Sequence, residues 1–146
     1  MAEAGPEANT HSNENGVIPE RVLLDRPRPL THLERALVDF LLAPPYGDEQ
    51  LRAQASTANV IGVCSCGCAS VFLGVDSSAP LSEATEWTPG GRHDLTAYEV
   101  KPRGLGAQVT LHTPEGLLVE LEIWAGAYGV RSRVDPAKLM RVQEID

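Results

Sequence analysis

The chain has 146 residues, 42% of them apolar, and a net charge of −8, which suits one domain with a modest core and leaves too little for a second. Glu3, Glu7, Glu14 and Glu20 lie in a stretch without Lys or Arg, so the tail carries −4 and the remainder only −4. Such a domain lacks the clustered basic residues that a phosphate backbone demands, which argues against a nucleic-acid partner. No apolar run is long enough to span a membrane, and the N-terminus lacks the basic-then-apolar order of a signal peptide. The expectation is a cytoplasmic protein with no membrane partner.

Residues 1–20 are rich in Glu, Asn, Gly and Ala and bury too little to offset the entropy cost of ordering, so they read as a disordered acidic tail. Residues 21–146 form the single domain. Its opening, from Arg21 to Pro29, holds three apolar residues and two prolines and reads as an extended strap. Thr31 followed by Glu34 fits a capping box, and Leu30, Leu33, Leu37, Phe40 and Leu41 recur at spacings of three and four, which predicts an amphipathic helix stopped by Pro44 and Pro45. A second helix is expected from Asp48 to about Ala58, with only Leu51, Ala55 and Ala58 to bury.

From Val60 to Val75 the composition turns to Val, Ile and Phe around a Cys-Gly-Cys, predicting a hairpin that turns near Gly67. Residues 76–94 form a long loop in which Pro80 to Glu86 fits a short helix. Leu95 to Lys101 reads as a strand broken by the Pro102 to Gly106 stretch. Gln108–Thr113 and Leu117–Ala125 then alternate around Pro114-Glu115-Gly116, with Leu117, Val119, Leu121 and Ile123 on one face and Glu120 and Glu122 on the other. Asp135-Pro136 supplies a cap and first-turn proline for a closing helix through Val142. The predicted class is α+β, with N-terminal helices on one face of an antiparallel sheet of about five strands, its other face solvated.

Cys64, Cys66 and Cys68 are an odd number of close cysteines, unsuited to a secreted disulfide framework. Thiolates bind zinc and other soft metals. In a straight strand, however, alternate residues lie about 6.6 Å apart, while zinc with bonds of about 2.3 Å needs sulfurs about 3.8 Å apart. Only a bend, which Gly67 can supply, would gather all three, and His93 or His112 would have to provide a fourth ligand. The plainer reading makes the cysteines small core residues with no cofactor.

Three further groups carry chemistry. Trp87, Arg92, His93 and Asp94 in the long loop offer an aromatic platform, a cation, a base and a carboxylate, although a solvated surface loop explains them too. Glu120 and Glu122 form a carboxylate pair that an exposed strand face accounts for equally. Trp124, Tyr128, Arg131 and Arg133 are of types enriched at interaction hot spots. No P-loop, dinucleotide fingerprint or nucleophile elbow is present in the sequence.

Leu41-Leu42, Gly47-Asp48, Leu51-Arg52-Ala53-Gln54 and Ala58-Asn59-Val60, followed by Pro114-Glu115-Gly116-Leu117 and Leu121-Glu122-Ile123-Trp124, resemble motifs of small uncharacterised bacterial α+β proteins. The resemblance covers roughly half the chain, departing from the pattern in the Cys-Ser-Cys-Gly-Cys segment and in Glu115, where Asp is usual. It implies the fold and no activity. The leading expectation from sequence is therefore a non-enzymatic, immunity-like interaction module that meets a protein partner or a second copy of itself. The alternative is a metal-binding or thiol-redox protein centred on Cys64, Cys66 and Cys68, and an enzyme using the Trp87–Asp94 loop ranks last.

Overall fold

The structure, a computed structural model, describes residues 21–66, 68–82, 94–124 and 134–141. Strand β1 (Arg21–Pro29) is followed by helices α1 (His32–Leu42) and α2 (Glu49–Ser56), then β2 (Asn59–Cys64), β3 (Val71–Gly74), β4 (Asp94–Lys101), β5 (Gly104–His112), β6 (Glu120–Trp124) and β7 (Leu139–Arg141). The described strands form one sheet in the order β1-β2-β3-β6-β5-β4-β7, and every pairing is antiparallel. The class is α+β, with seven strands where the sequence reading expected five.

Both extra strands come from segments read otherwise. The Arg21–Pro29 strap is the edge strand β1, paired with β2 through a register shift between Leu23 and Arg28; Pro27 and Pro29 are tolerated there because an edge does not need every N–H. The expected closing helix is one 3-10 turn over Pro136–Lys138, capped by the Asp135 side chain, before β7 begins. Residues 139–141 pair with β4 instead of continuing a helix. Arg141 then stacks on Phe40 and Tyr46 at 4.4 and 3.9 Å and donates hydrogen bonds to the carbonyls of Phe40 and Leu41 at the end of α1. This competition for the free edge of β4 and the orphan carbonyls of α1 outweighs the weak helical signal.

Helix α1 begins as the sequence predicts. Glu34 N–H donates to Thr31 Oγ1, Thr31 N–H donates to Glu34 Oε1, and Arg28 clamps the same carboxylate at 2.9 and 3.0 Å. Burial pushes the Glu34 carboxyl up, but the hydrogen bonds from Arg28 and Thr31 outweigh it and hold it below the ordinary glutamate value. Leu37, Val38, Leu41 and Leu42 enter the core with Val60, Val71, Leu73, Val109, Leu111, Leu121 and Ile123, while Leu30, Leu33 and Phe40 are only partly buried.

Helix α2 buries Leu51 and Ala55 as expected, and also Gln54, at 0% exposure. The Gln54 amide N–H₂ donates to Pro80 O and Gly116 O, each at 2.7 Å, while its oxygen accepts from Leu118 N–H at 2.8 Å. That attachment shifts the β5–β6 alternation: Leu118 is buried and Leu117 exposed, so the regular pattern starts only at Glu120. The expected break at Pro102 is a tight hairpin, with Lys101 opposite Gly104. Of the predicted Pro80–Glu86 helix, Leu81 and Ser82 are irregular and residues 83–86 lie outside the described residues.

Candidate metal centre

β2 and β3 form the expected hairpin, with their last paired residues Val63 and Val71. Cys64 ends β2 opposite Arg21 of β1, and the chain then turns at Ser65–Cys66. The turn, rather than an extended strand, sets the cysteine geometry: the three Sγ atoms all lie within 4.8 Å of one another. Cys64 donates its S–H to Cys66 Sγ at 3.1 Å, and the Cys68 backbone N–H donates to Cys66 Sγ at 3.4 Å. Downstream, Ser70 Oγ accepts from Ile123 N–H at 2.8 Å and donates to Ile123 O at 3.4 Å, tying the end of the turn to β6.

The thiols have different surroundings. Cys64 is buried, Cys68 half-buried and Cys66 exposed, so only Cys64 fits the expectation of a core residue. Burial and its hydrogen bond to Cys66 push the Cys64 thiol up. Burial also pushes Cys66 up, but hydrogen bonds from the Cys64 and Cys68 thiols and from backbone N–H groups outweigh it and bring Cys66 below its ordinary value. Cys66 thus ionises more readily than Cys64, and its sulfur is the acceptor of the group.

His112, one of the two candidates for a fourth ligand, is elsewhere. It lies on β5, separated from β2 by β3 and β6, a distance of about 14 Å at roughly 4.8 Å per strand. Its Nε2 sits 2.7 Å from Glu122 Oε1. This His–carboxylate pair escaped the sequence reading because the partners meet only through the β5–β6 register, with Thr110 opposite Glu122 and His112 opposite Glu120.

The expectation of an exposed carboxylate pair is corrected. Glu120 is 1% exposed and Glu122 half-buried, because β6 is an inner strand and Glu120 has Phe72 of β3 on one side and His112 of β5 on the other. The sheet face opposite α1 is accordingly not uniformly solvated: Phe72, Thr110 and Glu120 are buried there. Trp124 ends β6 with 56% of its surface exposed. Asp94 opens β4 opposite His112, while Trp87, Arg92, His93, Tyr128, Arg131 and Arg133 lie outside the described residues.

No family model matches the chain, and neither the curated proteins nor the solved structures contain a match. Among the described residues no helix is long and apolar enough to cross a membrane.

Proposed function

We propose that the β2–β3 turn is a soft-metal site in which Cys64, Cys66 and Cys68 supply three thiolate ligands. The observation that carries the reading is the convergence of the three Sγ atoms to within 4.8 Å, where an extended chain would hold alternate side chains about 6.6 Å apart. Ligand sulfurs around one ion with bonds of about 2.3 Å stand about 3.8–4.0 Å apart, so the turn needs only a small adjustment to close on an ion. Thiolates favour zinc, copper(I) and related soft ions, and binding releases the thiol protons. The test is titration of the reduced full chain with Cd(II) under nitrogen, followed by the thiolate-to-metal absorption band. Saturation at one equivalent, lost in Cys66→Ser, supports the site; no band at millimolar Cd(II) refutes it.

A second reading, an interaction module, is favoured by Trp124, 56% exposed at the end of β6, and by Leu23, 65% exposed on the edge strand β1. Tryptophan is enriched at binding hot spots, and an edge strand offers unpaired backbone groups to a partner or a second copy. Sedimentation across a concentration series checks self-association: a dimer weakened by Trp124→Ala supports it, and a monomer throughout counts against it.

A further inference from the structure

We infer that Cys66 and Cys64 form a reversible disulfide when a hydroperoxide oxidises the β2–β3 turn, with Cys66 the sulfur attacked first. The disulfide itself needs no metal; its consequence for metal binding rests on the thiolate-site reading above.

Geometry selects the pair. Cys64 Sγ and Cys66 Sγ stand 3.1 Å apart, while a disulfide bond is about 2.05 Å long, so the sulfurs need to approach by only about 1 Å. In an extended strand alternate side chains run side by side about 6.6 Å apart and do not meet. Here the chain turns at Ser65–Cys66 and brings them into contact. Both flanks are held from outside the turn, Cys64 by its pairing with Arg21 on β1 and Ser70 by its hydrogen bonds to Ile123. The closing movement therefore falls on the turn and leaves the sheet register unchanged.

Access selects the order. Cys64 is 4% exposed, whereas Cys66 lies at the surface, so an oxidant in solution meets Cys66. The Cys64 S–H and the Cys68 backbone N–H both point at the Cys66 sulfur, and the first of these puts the second reactant at the reacting atom. In the first step the Cys66 sulfur attacks a peroxide oxygen: an S–O bond forms, the O–O bond breaks, and the departing oxygen leaves as an alcohol or water with the thiol proton. Cys66, oxidised by two electrons, is then a sulfenic acid. In the second step the Cys64 sulfur attacks the Cys66 sulfur, an S–S bond forms, the S–O bond breaks, and the hydroxyl leaves as water with the Cys64 proton. Cys68 keeps its thiol. A disulfide with one sulfur at the surface is open to a solution thiol and is readily reversed. Two of the three proposed ligands are consumed, so oxidation closes the metal site.

The probe is one equivalent of hydrogen peroxide added to the reduced, metal-stripped full chain at neutral pH. Free thiols should fall from three to one without chain-linked dimers, and return to three after dithiothreitol. An alkylating label applied before reduction and a second applied after it should place the first on Cys68 and the second on Cys64 and Cys66. Cys66→Ser should keep both of its thiols through the same treatment. Three thiols surviving in the unaltered chain, a first label on Cys64, or a Cys66→Ser variant that loses its thiols as fast as the unaltered chain overturns the inference. Cd(II) titration of the same samples separates it from the metal-site reading. A thiolate-to-metal band present before peroxide and absent after it supports closure of the site, and a band that survives disulfide formation overturns that closure. A band without a disulfide leaves the metal site standing and the inference refuted; a disulfide without a band does the reverse.

Discussion

Two hairpins of the same sheet are connected in opposite ways. The β5–β6 turn, Pro114–Gly116, is bolted from outside: the buried Gln54 amide grips Gly116 O and Leu118 N–H, and Gly116, at φ +81°, packs so close to Ser82 that a Cβ would stand 2.3 Å from its carbonyl oxygen. The β2–β3 turn is fastened at its ends, by β2 pairing at Cys64 and by Ser70 on β6, while its sulfurs form hydrogen bonds with one another and with the Cys68 backbone. The first turn spends its polar groups on holding the fold together; the second gathers three thiols and keeps one of them, Cys66, at the surface. On the proposed metal-site reading, structural and chemical duties sit on different hairpins, and substitutions should separate them.

The largest stability loss is expected from Gln54→Leu. It leaves the buried Leu118 N–H without its acceptor, at about 1–3 kcal/mol for a buried group left unpaired, and removes one donor from the carbonyls of Pro80 and Gly116, the latter keeping the Ser82 N–H. A urea midpoint near that of the unaltered chain would show that the β5–β6 turn does not depend on α2.

Glu34→Gln comes next, at about 1–2 kcal/mol, because it weakens both a capping box and a bidentate arginine contact. Its pH dependence has a definite sign. The folded carboxyl lies below its ordinary value, so in the acid range the unfolded chain binds more protons and stability rises with pH. The contribution is complete above the ordinary glutamate pKa and is lost as pH falls through the lowered one. Thermal melts from pH 7 to pH 3 should show a shallower acid decline in Glu34→Gln, and parallel declines would argue against the lowered carboxyl.

The smallest effect belongs to Cys66→Ser, within about 0.5 kcal/mol for the metal-free chain, as for an exposed surface substitution. A loss of 2 kcal/mol or more, on the scale of buried-core truncation, would make this turn a structural element like the other and erase the contrast.

Much of the frame was legible in the sequence. Thr31 and Glu34 form the capping box, Asp48 caps α2 by accepting from Leu51 N–H, and the two hairpins fall where alternation and turn residues place them. The errors share one physical cause, in that long-range pairing decides segments whose local signal is weak. Residues 21–29 and 139–141 became edge strands because β2 and β4 had free edges to pair. Gln54 gave no periodic signal because its three partners are reached across the fold, and Glu120 looked exposed because alternation reports only which sheet face a residue occupies.

For the site, the sequence offered the three cysteines and the condition that a straight strand would hold them apart and only a bend would gather them. The β2–β3 turn meets that condition, since the same spacing on a bend brings the sulfurs together. The His112–Glu122 contact was invisible for the reason Gln54 was: cross-strand register brings the two side chains together, and no local spacing announces it.

The proposed thiolate site is tested by measuring metal content and free thiols in the full chain purified without oxygen or added chelator, alongside Cys66→Ser. A stoichiometric soft metal is expected in the unaltered protein and none in the variant. Three free, slowly reacting thiols with no metal would contradict it and leave Cys64, Cys66 and Cys68 as packing residues on a surface turn.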